Sequence, residues 1–417
     1  MKVVEMFTGI GSQAKALSRI SSRRKVNINI AMTCEWNIHA ILAYHFIHND
    51  VDIIEEVNQK TKSDLLKELS QYTLSTDGKK PASNIYIGSL DITMLKRILS
   101  SIRVNNNYVD ITKVKGQDIP DDTELLTYSF PCQDLSNVGS FHGYKHGIDR
   151  DKNTRSGLLW EVERILEERT QNGLSLPQFL LLENVTALEA KRHEGNFNQW
   201  KNKLKDLGYF NKVYRLNAQD FGIPQYRKRL IMLSVHVGNN IDLRTAIESY
   251  FRTHDLENPA YLASLNIAKK NLNEYIKRDY SNQSYLDEAL DAQPNATQSR
   301  RKIWDLNLKI IDENQKLAER VQTITTRQDR HPNSGNIFFS INNNRSKYRF
   351  LTGRECFLLM GFEEKDYEKL VNKRITNRNR NFFSRDAFYK LAGNSIVVNV
   401  LEAVFDQMID VKEIIET

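Results

Sequence analysis

Short apolar runs that alternate with amphipathic stretches constrain this chain more than any other feature. The runs lie in "KVVEMF", "NINIAMTCEW", "ASNIYIGSLDIT", "DDTELLTYSFPC", "LPQFLLLENV" and "YRKRLIMLSVH". Between them, "SQAKALSRI", "SGLLWEVERILEERT" and "FNQWKNKLKDLG" carry helical periodicity. Strands alternating with helices predict an α/β fold, a mostly parallel sheet with helices on both faces. Ligands of such sheets bind at the carboxyl ends of the strands. Residues 7–11, Glu35, Asp91 and Cys132 all fall at predicted strand ends, so they are expected to share one composite site.

From about residue 236 to residue 348 the alternation fails. This stretch is rich in Asn, Gln, Arg and Tyr and reads as a separate, more polar domain. The pattern resumes in "FYKLAGNSIVVNVLEAVFDQMI". Residues 52–84 and 97–122 are polar, and their periodicity assigns no element. No run of about 20 apolar residues exists, so no membrane span is expected. "MKVVEMFTGIG" reaches its glycines too early for a signal peptide. Cys34, Cys132 and Cys356 cannot make a disulfide framework and lack metal-ligand spacing, so a reducing cytoplasm and no metal are expected. A net charge of +7 permits a polyanionic partner.

Among the possible site residues, Cys132 in "SFPCQ" is the sharpest. It sits directly behind a proline where an apolar run breaks into loop, and loops display reacting side chains. A reactive cysteine needs such an exposed place and a lowered pKa. "FTGIG" between a strand and a helix lets a backbone approach a ligand, and equally suits plain packing; it lacks the full dinucleotide fingerprint. Glu35 suits a hydrogen bond to ribose hydroxyls, and Trp36 beside it could stack on adenine or fill the core. Asp91 could accept from an exocyclic amine; taken singly, each acid also reads as a helix cap or a solvated side chain. Glu183 in "ENV" follows the apolar "FLLL", where a carboxyl is costly unless it has a partner or a task. Arg227 and Arg229 in "QYRKR", two residues apart, would share a face if extended.

Taken together and in order, these segments resemble the DNA cytosine-5 methyltransferases, which use S-adenosylmethionine. The likeness covers "FTGIG", "CEW", "GSLDI", "SFPCQDLS", "RSGLLWE", "LLENV", "QYRKRLI", "RFLTGRECFLLMGF" and "LAGNSIVVNVLEA". In its catalytic half the chain is similar to the CG-methylating enzymes of wall-less bacteria. It departs from the family in the long polar stretch between "CEW" and "GSLDI".

The resemblance implies a Rossmann-like methyltransferase domain over residues 1–235, completed by 391–417, with a target-recognition domain inserted at 236–390. Cys132 would add to carbon 6 of cytosine and make carbon 5 nucleophilic. Glu183 would hydrogen-bond or protonate the ring nitrogen, Asn184 would help hold that edge, and Arg227 and Arg229 would support the carbonyl side. Phe7, Gly9, Gly11, Glu35, Trp36, Asp91, Ile92, Leu158, Asn394 and Ser395 would line the S-adenosylmethionine site, with Pro131 shaping the cysteine turn beside it. Gln133 and Ser136 would touch DNA, and the loop with glycines at 139, 143 and 147 would close over a flipped base. "RFLTGRECFLLMGF" would organise the smaller domain, with Cys356 and Leu359 in its core.

In the variable segment, Arg327, Gln328, Arg330 and Asn333 carry side chains that pair with base edges, and equally suit phosphates or turns. Arg378 and Arg380 lie in a basic stretch expected to track phosphate. The expected partner is double-stranded DNA, bound by a monomer acting in the bacterial cytoplasm. A cognate restriction endonuclease acting separately fits this reading. Two rivals share the motifs: a tRNA cytosine-5 methyltransferase and an inactive DNA-binding regulator. The sizeable variable segment favours duplex DNA, and the joint presence of cysteine, glutamate and arginines favours an enzyme.

Overall fold

Val3, Val4 and Met6 are fully buried, because strand β1 (Lys2–Met6) runs through the inside of a sheet. The computed structural model describes residues 1–131, 135, 148, 156–341, 344–372, 375–377 and 380–417. β1 pairs in parallel with β2 (Asn29–Cys34) on one side and with β3 (Leu125–Tyr128) on the other. β3 pairs in parallel with β4 (Phe179–Val185). Beyond β4 lie β6 (Lys228–His236), which is antiparallel to it, and β5 (Tyr209–Asn217) at the edge. The order is therefore β2-β1-β3-β4-β6-β5. Strands covered on both faces read as unbroken apolar runs, and the "FLLL" of β4 is buried throughout.

Helices follow the strands: α1 (Ser12–Arg24), α2 (Ile38–His48), α3 (Ile92–Val104), α4 (Leu159–Gln171) and α5 (Glu194–Asp206). Met6, Tyr128, Leu182, Val162 and Trp200 belong to one continuous core, where Trp200 Nε1 donates to the Tyr128 hydroxyl at 3.1 Å. α2 is buried nearly all round, and Asn37 caps it by accepting from the His39 and Ala40 amides at 2.9 and 3.2 Å.

Two expectations about the sheet are corrected. "ASNIYIGSLDIT" holds no strand. Ser83 caps a short helix, Asn84–Gly88, and Asp91 caps α3, so the polar residues that resembled strand ends are helix starts. Conversely, β5 is a strand that the apolar pattern hid, because Asn211, Lys212 and Arg215 interrupt it. The polar residues 52–84 include the helix Lys62–Leu69, closed by a Thr61–Asp64 capping box.

The chain divides into two packing units. The first is Met1–Leu216 with Lys228–Leu265 and Leu401–Thr417; the second is Asn217–Arg227 with Asn266–Val400. The boundaries expected at residues 235 and 391 differ from these. α6 (Ile241–Thr253) packs with the first unit through Phe251, whose ring stacks on Phe210 with centroids 5.9 Å apart. The end of strand–helix alternation thus marks the end of the sheet rather than of the unit. Among the described residues no helix is long and apolar enough to cross a membrane.

In the second unit, Lys309–Ile311 pairs in parallel with Asn336–Phe338, which pairs antiparallel with Tyr348–Arg349. The second unit also holds α7 (Gln298–Leu306), α8 (Gly353–Leu359) and α9 (Arg385–Asn394), while α10 (Val398–Glu416) belongs to the first unit from Leu401 on. α8 is buried over its whole length, with Cys356 and Leu359 in the core as expected. Its Glu355 closes a capping box with Thr352 and grips Arg349 at 2.8 Å, both side chains having 0% exposure.

Removing one partner of a buried ion pair strands the other charge. Glu355→Ala should therefore lower the unfolding free energy by about 3–5 kcal/mol. Urea denaturation monitored by circular dichroism measures it; a loss below about 1 kcal/mol would show that Arg349 does not depend on Glu355.

Candidate active site

The strand directions bring the candidate residues to one edge of the first unit. β2, β1, β3 and β4 run parallel, so Glu35, residues 7–11, Pro131 and Val185 emerge on the same side. β6 runs the other way, so its start lies at that edge too, with Arg229 opposite Val185. Glu183, two residues back on β4, is 8% exposed, and its carboxylate lies 3.3 Å from Arg229 Nε. The carboxyl that looked too costly for an apolar strand thus has its cation, supplied by the reversed strand.

Cys132, Gln133, Ser136 and the three loop glycines lie outside the described residues, but the backbone leading into the cysteine is fastened from three elements. From α1, Gln13 Nε2 donates to Ser129 Oγ at 3.1 Å. From β4, Asn184 Nδ2 donates to the Phe130 carbonyl at 3.1 Å. Ser156, which opens the turn before α4, donates its hydroxyl to the Pro131 carbonyl at 2.7 Å. Arg192 further donates to the Leu135 carbonyl at 3.0 Å. Gln13 and Arg192 lie outside every motif in the sequence, and Ser156 falls within "RSGLLWE" without marking itself, since isolated polar residues give no pattern of their own.

Asn184 is corrected by this geometry. It is 1% exposed, its amide nitrogen is bonded to Phe130 and its oxygen accepts from the Val185 amide at 2.9 Å. It holds the cysteine turn rather than presenting itself to a base. Arg227 is corrected too. The chain bends at Gly222, Gln225–Tyr226 pairs with Val321–Gln322 in the second unit, and β6 starts only at Lys228. The two arginines therefore share no face. The Arg227 guanidinium donates to the carbonyls of Ile324, Gly393 and Ser395 at 2.9, 3.1 and 2.6 Å, tying segments of the second unit together.

At the cofactor side, Phe7, Gly9 and Gly11 take left-handed φ of 58°, 55° and 80°. Gly9 and Gly11 do so without the steric cost a side chain brings. Glu35 Oε2 accepts from the Gly9 amide at 3.0 Å and Oε1 from the Asn37 amide at 2.8 Å. Burial pushes this carboxyl's pKa up, while the Asn37, Gly9 and Trp36 amides oppose the rise. An ionised carboxyl has about four acceptor positions, so acceptor capacity remains for a ribose hydroxyl. A Cβ at Gly9 would meet nothing within 4 Å, and Trp36 is partly exposed. The residues fit S-adenosylmethionine: an acceptor for its hydroxyls, an uncluttered turn for its backbone-facing atoms and an aromatic face for its base. Asn107, missed in the sequence for want of any pattern, brackets Glu35 by accepting from its amide and donating to its carbonyl, both at 3.0 Å.

Asp91 sits at the amino end of α3, where its carboxylate accepts from the Met94 amide at 2.8 Å, and Ile92 beside it is 41% exposed. Leu158 packs partly buried against the core. Asn394 and Ser395 end α9 in the second unit. There too, Gln328 and Asn333 are buried at 0% and 3% exposure, which corrects their assignment as base readers. Gln328 accepts from the Ser334 amide and hydroxyl at 3.3 and 2.5 Å, and Asn333 donates to the Gln328 carbonyl at 2.8 Å. They frame the loop from inside, while Arg327 is exposed and Arg330 partly so. Cys34 and Cys356 are buried, which pushes both thiols up and leaves them unreactive.

Residues 80–410 match the family model of the C-5 cytosine-specific DNA methylases. The chain is 32% identical to the orphan methyltransferase M.SssI of Spiroplasma monobiae, over 98% of this chain and 97% of that one. It is 29% identical to the type II methyltransferase M2.ScrFI of Lactococcus lactis subsp. cremoris, over 98% and 99%. The crystal structure of S. pombe Dnmt2 methyltransferase shares the fold at a TM-score of 0.58 and 17% identity, covering 98% of both chains. This chain belongs to the C-5 cytosine-specific DNA methylases. It is a DNA (cytosine-5-)-methyltransferase with a Rossmann-like fold, and S-adenosylmethionine is its methyl donor. The tRNA reading is set aside, because the matching family model is that of DNA methylases.

If Asn184 positions the cysteine turn, Asn184→Ala should cut kcat by roughly 10- to 100-fold, the scale set by misplacing a reacting group by about 1 Å. S-adenosylmethionine affinity, read by calorimetry, should stay within about twofold; an unchanged kcat would remove the role. Glu35→Ala should weaken S-adenosylmethionine binding by roughly 1–3 kcal/mol, as for a lost hydrogen bond to a charged group. Equal affinity for the variant and the parent would take Glu35 out of the cofactor site.

Proposed function

We propose that methyl transfer runs through a covalent adduct between Cys132 and carbon 6 of a cytosine turned out of duplex DNA. Carbon 5 of cytosine is too poor a nucleophile to attack a methyl sulfonium directly. Thiolate addition at carbon 6 makes the ring an enamine and carbon 5 electron-rich. Glu183 protonates or hydrogen-bonds the ring nitrogen, which stabilises the addition. Arg229 fixes Glu183 and supports the carbonyl side of the ring. S-adenosylmethionine, held by residues 7–11, Glu35 and Trp36, supplies the electrophilic methyl group. The observation that carries the reading is the Glu183–Arg229 pair on the same strand edge as the fastened Phe130–Pro131 backbone. The target carbon is inaccessible in a stacked duplex, so the base must leave the stack.

The second unit is the target reader in this proposal. Arg327 and Arg330 are presented by a loop that Gln328 and Asn333 stiffen, so the arginines supply readout and the amides supply shape. Arg378 and Arg380, in a basic stretch, are assigned to phosphates, and Gln133 and Ser136 to the DNA backbone. The enzyme acts as a monomer in the cytoplasm, as the methylase of a restriction–modification system. The type II designation of the Lactococcus relative supports that role. The Spiroplasma relative is named an orphan methyltransferase, which supports a second reading without a paired endonuclease.

With fluorine at carbon 5 of the target cytosine, the methylated adduct has no proton to lose and cannot eliminate. The parent protein with S-adenosylmethionine should then form a complex with such DNA that survives denaturing electrophoresis. Cys132→Ser should abolish the complex and cut turnover by ~10⁴-fold, roughly 5.5 kcal/mol of barrier. Cys34→Ser and Cys356→Ser should still trap DNA. Trapping by the Cys132 variant would place the nucleophile elsewhere.

A further inference from the structure

The interior of the first unit holds a carboxylic acid that the reaction as derived leaves unused. Glu5 lies within β1 with 0% exposure. Its lateral neighbours across the sheet are Thr33 of β2 and Thr127 of β3. From α2 the Tyr44 hydroxyl donates to Glu5 Oε2 at 2.8 Å, and from α1 the Ala14 amide faces the carboxyl. None of these groups is a cation. Glu5 Oε1 and Thr127 Oγ1 are both buried without a hydrogen-bond partner among the described residues. Burial outweighs the two donors and pushes the Glu5 carboxyl up to about 7. It also raises the Tyr44 phenol well above its ordinary value, so Tyr44 stays a donor.

A short chain of contacts connects this acid to the glycine turn. The Tyr44 ring lies 4.7 Å from the His48 imidazole. His48 Nε2 lies 3.0 Å from the Ile10 carbonyl, which can only accept, so this nitrogen carries the proton. A Cβ on Gly11 would come within 2.8 Å of His48 Cδ2 and 2.9 Å of Tyr44 Cδ2. The two rings are therefore the floor on which residues 10 and 11 rest, and Glu5 anchors one of them from beneath.

We propose that Glu5, in its protonated form, is a positioning residue that holds the glycine turn in shape for S-adenosylmethionine, and that ionising it weakens cofactor binding. This rests on the reading that residues 7–11 hold the cofactor. Register sets Glu5 beside Thr127 on adjacent strands, so a proton on Oε1 has the Thr127 hydroxyl oxygen to go to. The neutral acid then donates to Thr127 while accepting from Tyr44. The carboxylate is fully buried and has only neutral donors and, among the described residues, no facing cation, so ionising it draws in water or shifts Tyr44, and with it the floor under Gly11. The folded protein holds this proton above the carboxyl's ordinary range. The stabilising arrangement is therefore complete at low pH and is lost as pH rises through about 7.

Calorimetric titration of the full chain with S-adenosylmethionine from about pH 6 to about pH 8.5 tests this, with Glu5→Gln beside the parent. The parent should lose about tenfold in affinity across the range, the scale of an ordinary coupling between two sites. Glu5→Gln, which mimics the neutral acid, should keep the low-pH affinity throughout. A parental pH profile reproduced by Glu5→Gln would overturn the proposal. Should Glu5→Gln fail to fold, carbon-13 NMR of the parent's glutamate carboxyls decides instead. A Glu5 carboxyl titrating near 7 supports the proposal, and one ionised in the ordinary carboxylate range ends it. Glu35→Ala separates the two levels. If it leaves affinity unchanged, the cofactor reading itself fails. If it weakens binding while Glu5→Gln tracks the parent, this inference alone fails.

Discussion

The antiparallel pairing of β4 with β6 is the constraint on which the catalytic edge depends. A strand parallel to β4 would have brought its carboxyl end to this edge, and the residues just before it would have lain at the far side. The reversal instead returns the amino end of β6, setting Arg229 opposite Val185 and within reach of Glu183. Without that cation, a carboxylate 8% exposed would titrate toward its neutral form. With it, the Glu183 carboxyl has a charged partner in a poorly solvated place. The next residue on the strand, Asn184, alternates to the other side and fastens the Phe130 carbonyl. One strand thus carries the Glu183 carboxyl and, by period-two alternation, the strut for the backbone that leads to Cys132.

Much of this was legible in the sequence because short-range rules govern it. Buried parallel strands need unbroken apolar runs, and "FLLL" is one. A turn that needs positive φ needs glycine, and Gly9 and Gly11 are such positions. What misled was polar chemistry with two local meanings. Asp91 after "GSL" suits a strand end and a helix cap equally, and the backbone chose the cap. Gln328 and Asn333 have side chains that suit an adenine edge and suit equally an orphaned backbone group. In the fold they are turned inward, onto a loop whose own amides and carbonyls would otherwise be unsatisfied.

The pair in "QYRKR" shows a different limit. Spacing of two places side chains on one face only inside a strand, and β6 begins at Lys228. Arg227 precedes it, in a segment that packs with the second unit, and its fork satisfies three main-chain carbonyls there. An arginine so committed cannot be replaced by lysine, which has no planar fork to span divergent acceptors. The motif is therefore a junction, in which Arg227 holds main-chain carbonyls of one unit and Arg229 pairs with Glu183 of the other. Its two arginines are close in sequence because the chain changes packing unit between them.

Carboxylates in the first unit are sorted by the same logic of solvation and donors. Glu183 meets a guanidinium, Glu35 meets backbone amides, and Glu5 meets a phenol hydroxyl and a backbone amide with, among the described residues, no cation. Only the first of these partners is charged, and a buried carboxyl without a cation is the costlier one to ionise. An acid beside a cation is fit for proton exchange with a base. An acid held by amides, with acceptor capacity left over, is fit for binding hydroxyls. A fully buried acid with only neutral donors is cheapest when it keeps its proton, and in the proposal it then supports the turn whose Gly9 amide Glu35 accepts. The sheet thus separates three uses of one functional group by what each strand end places beside it.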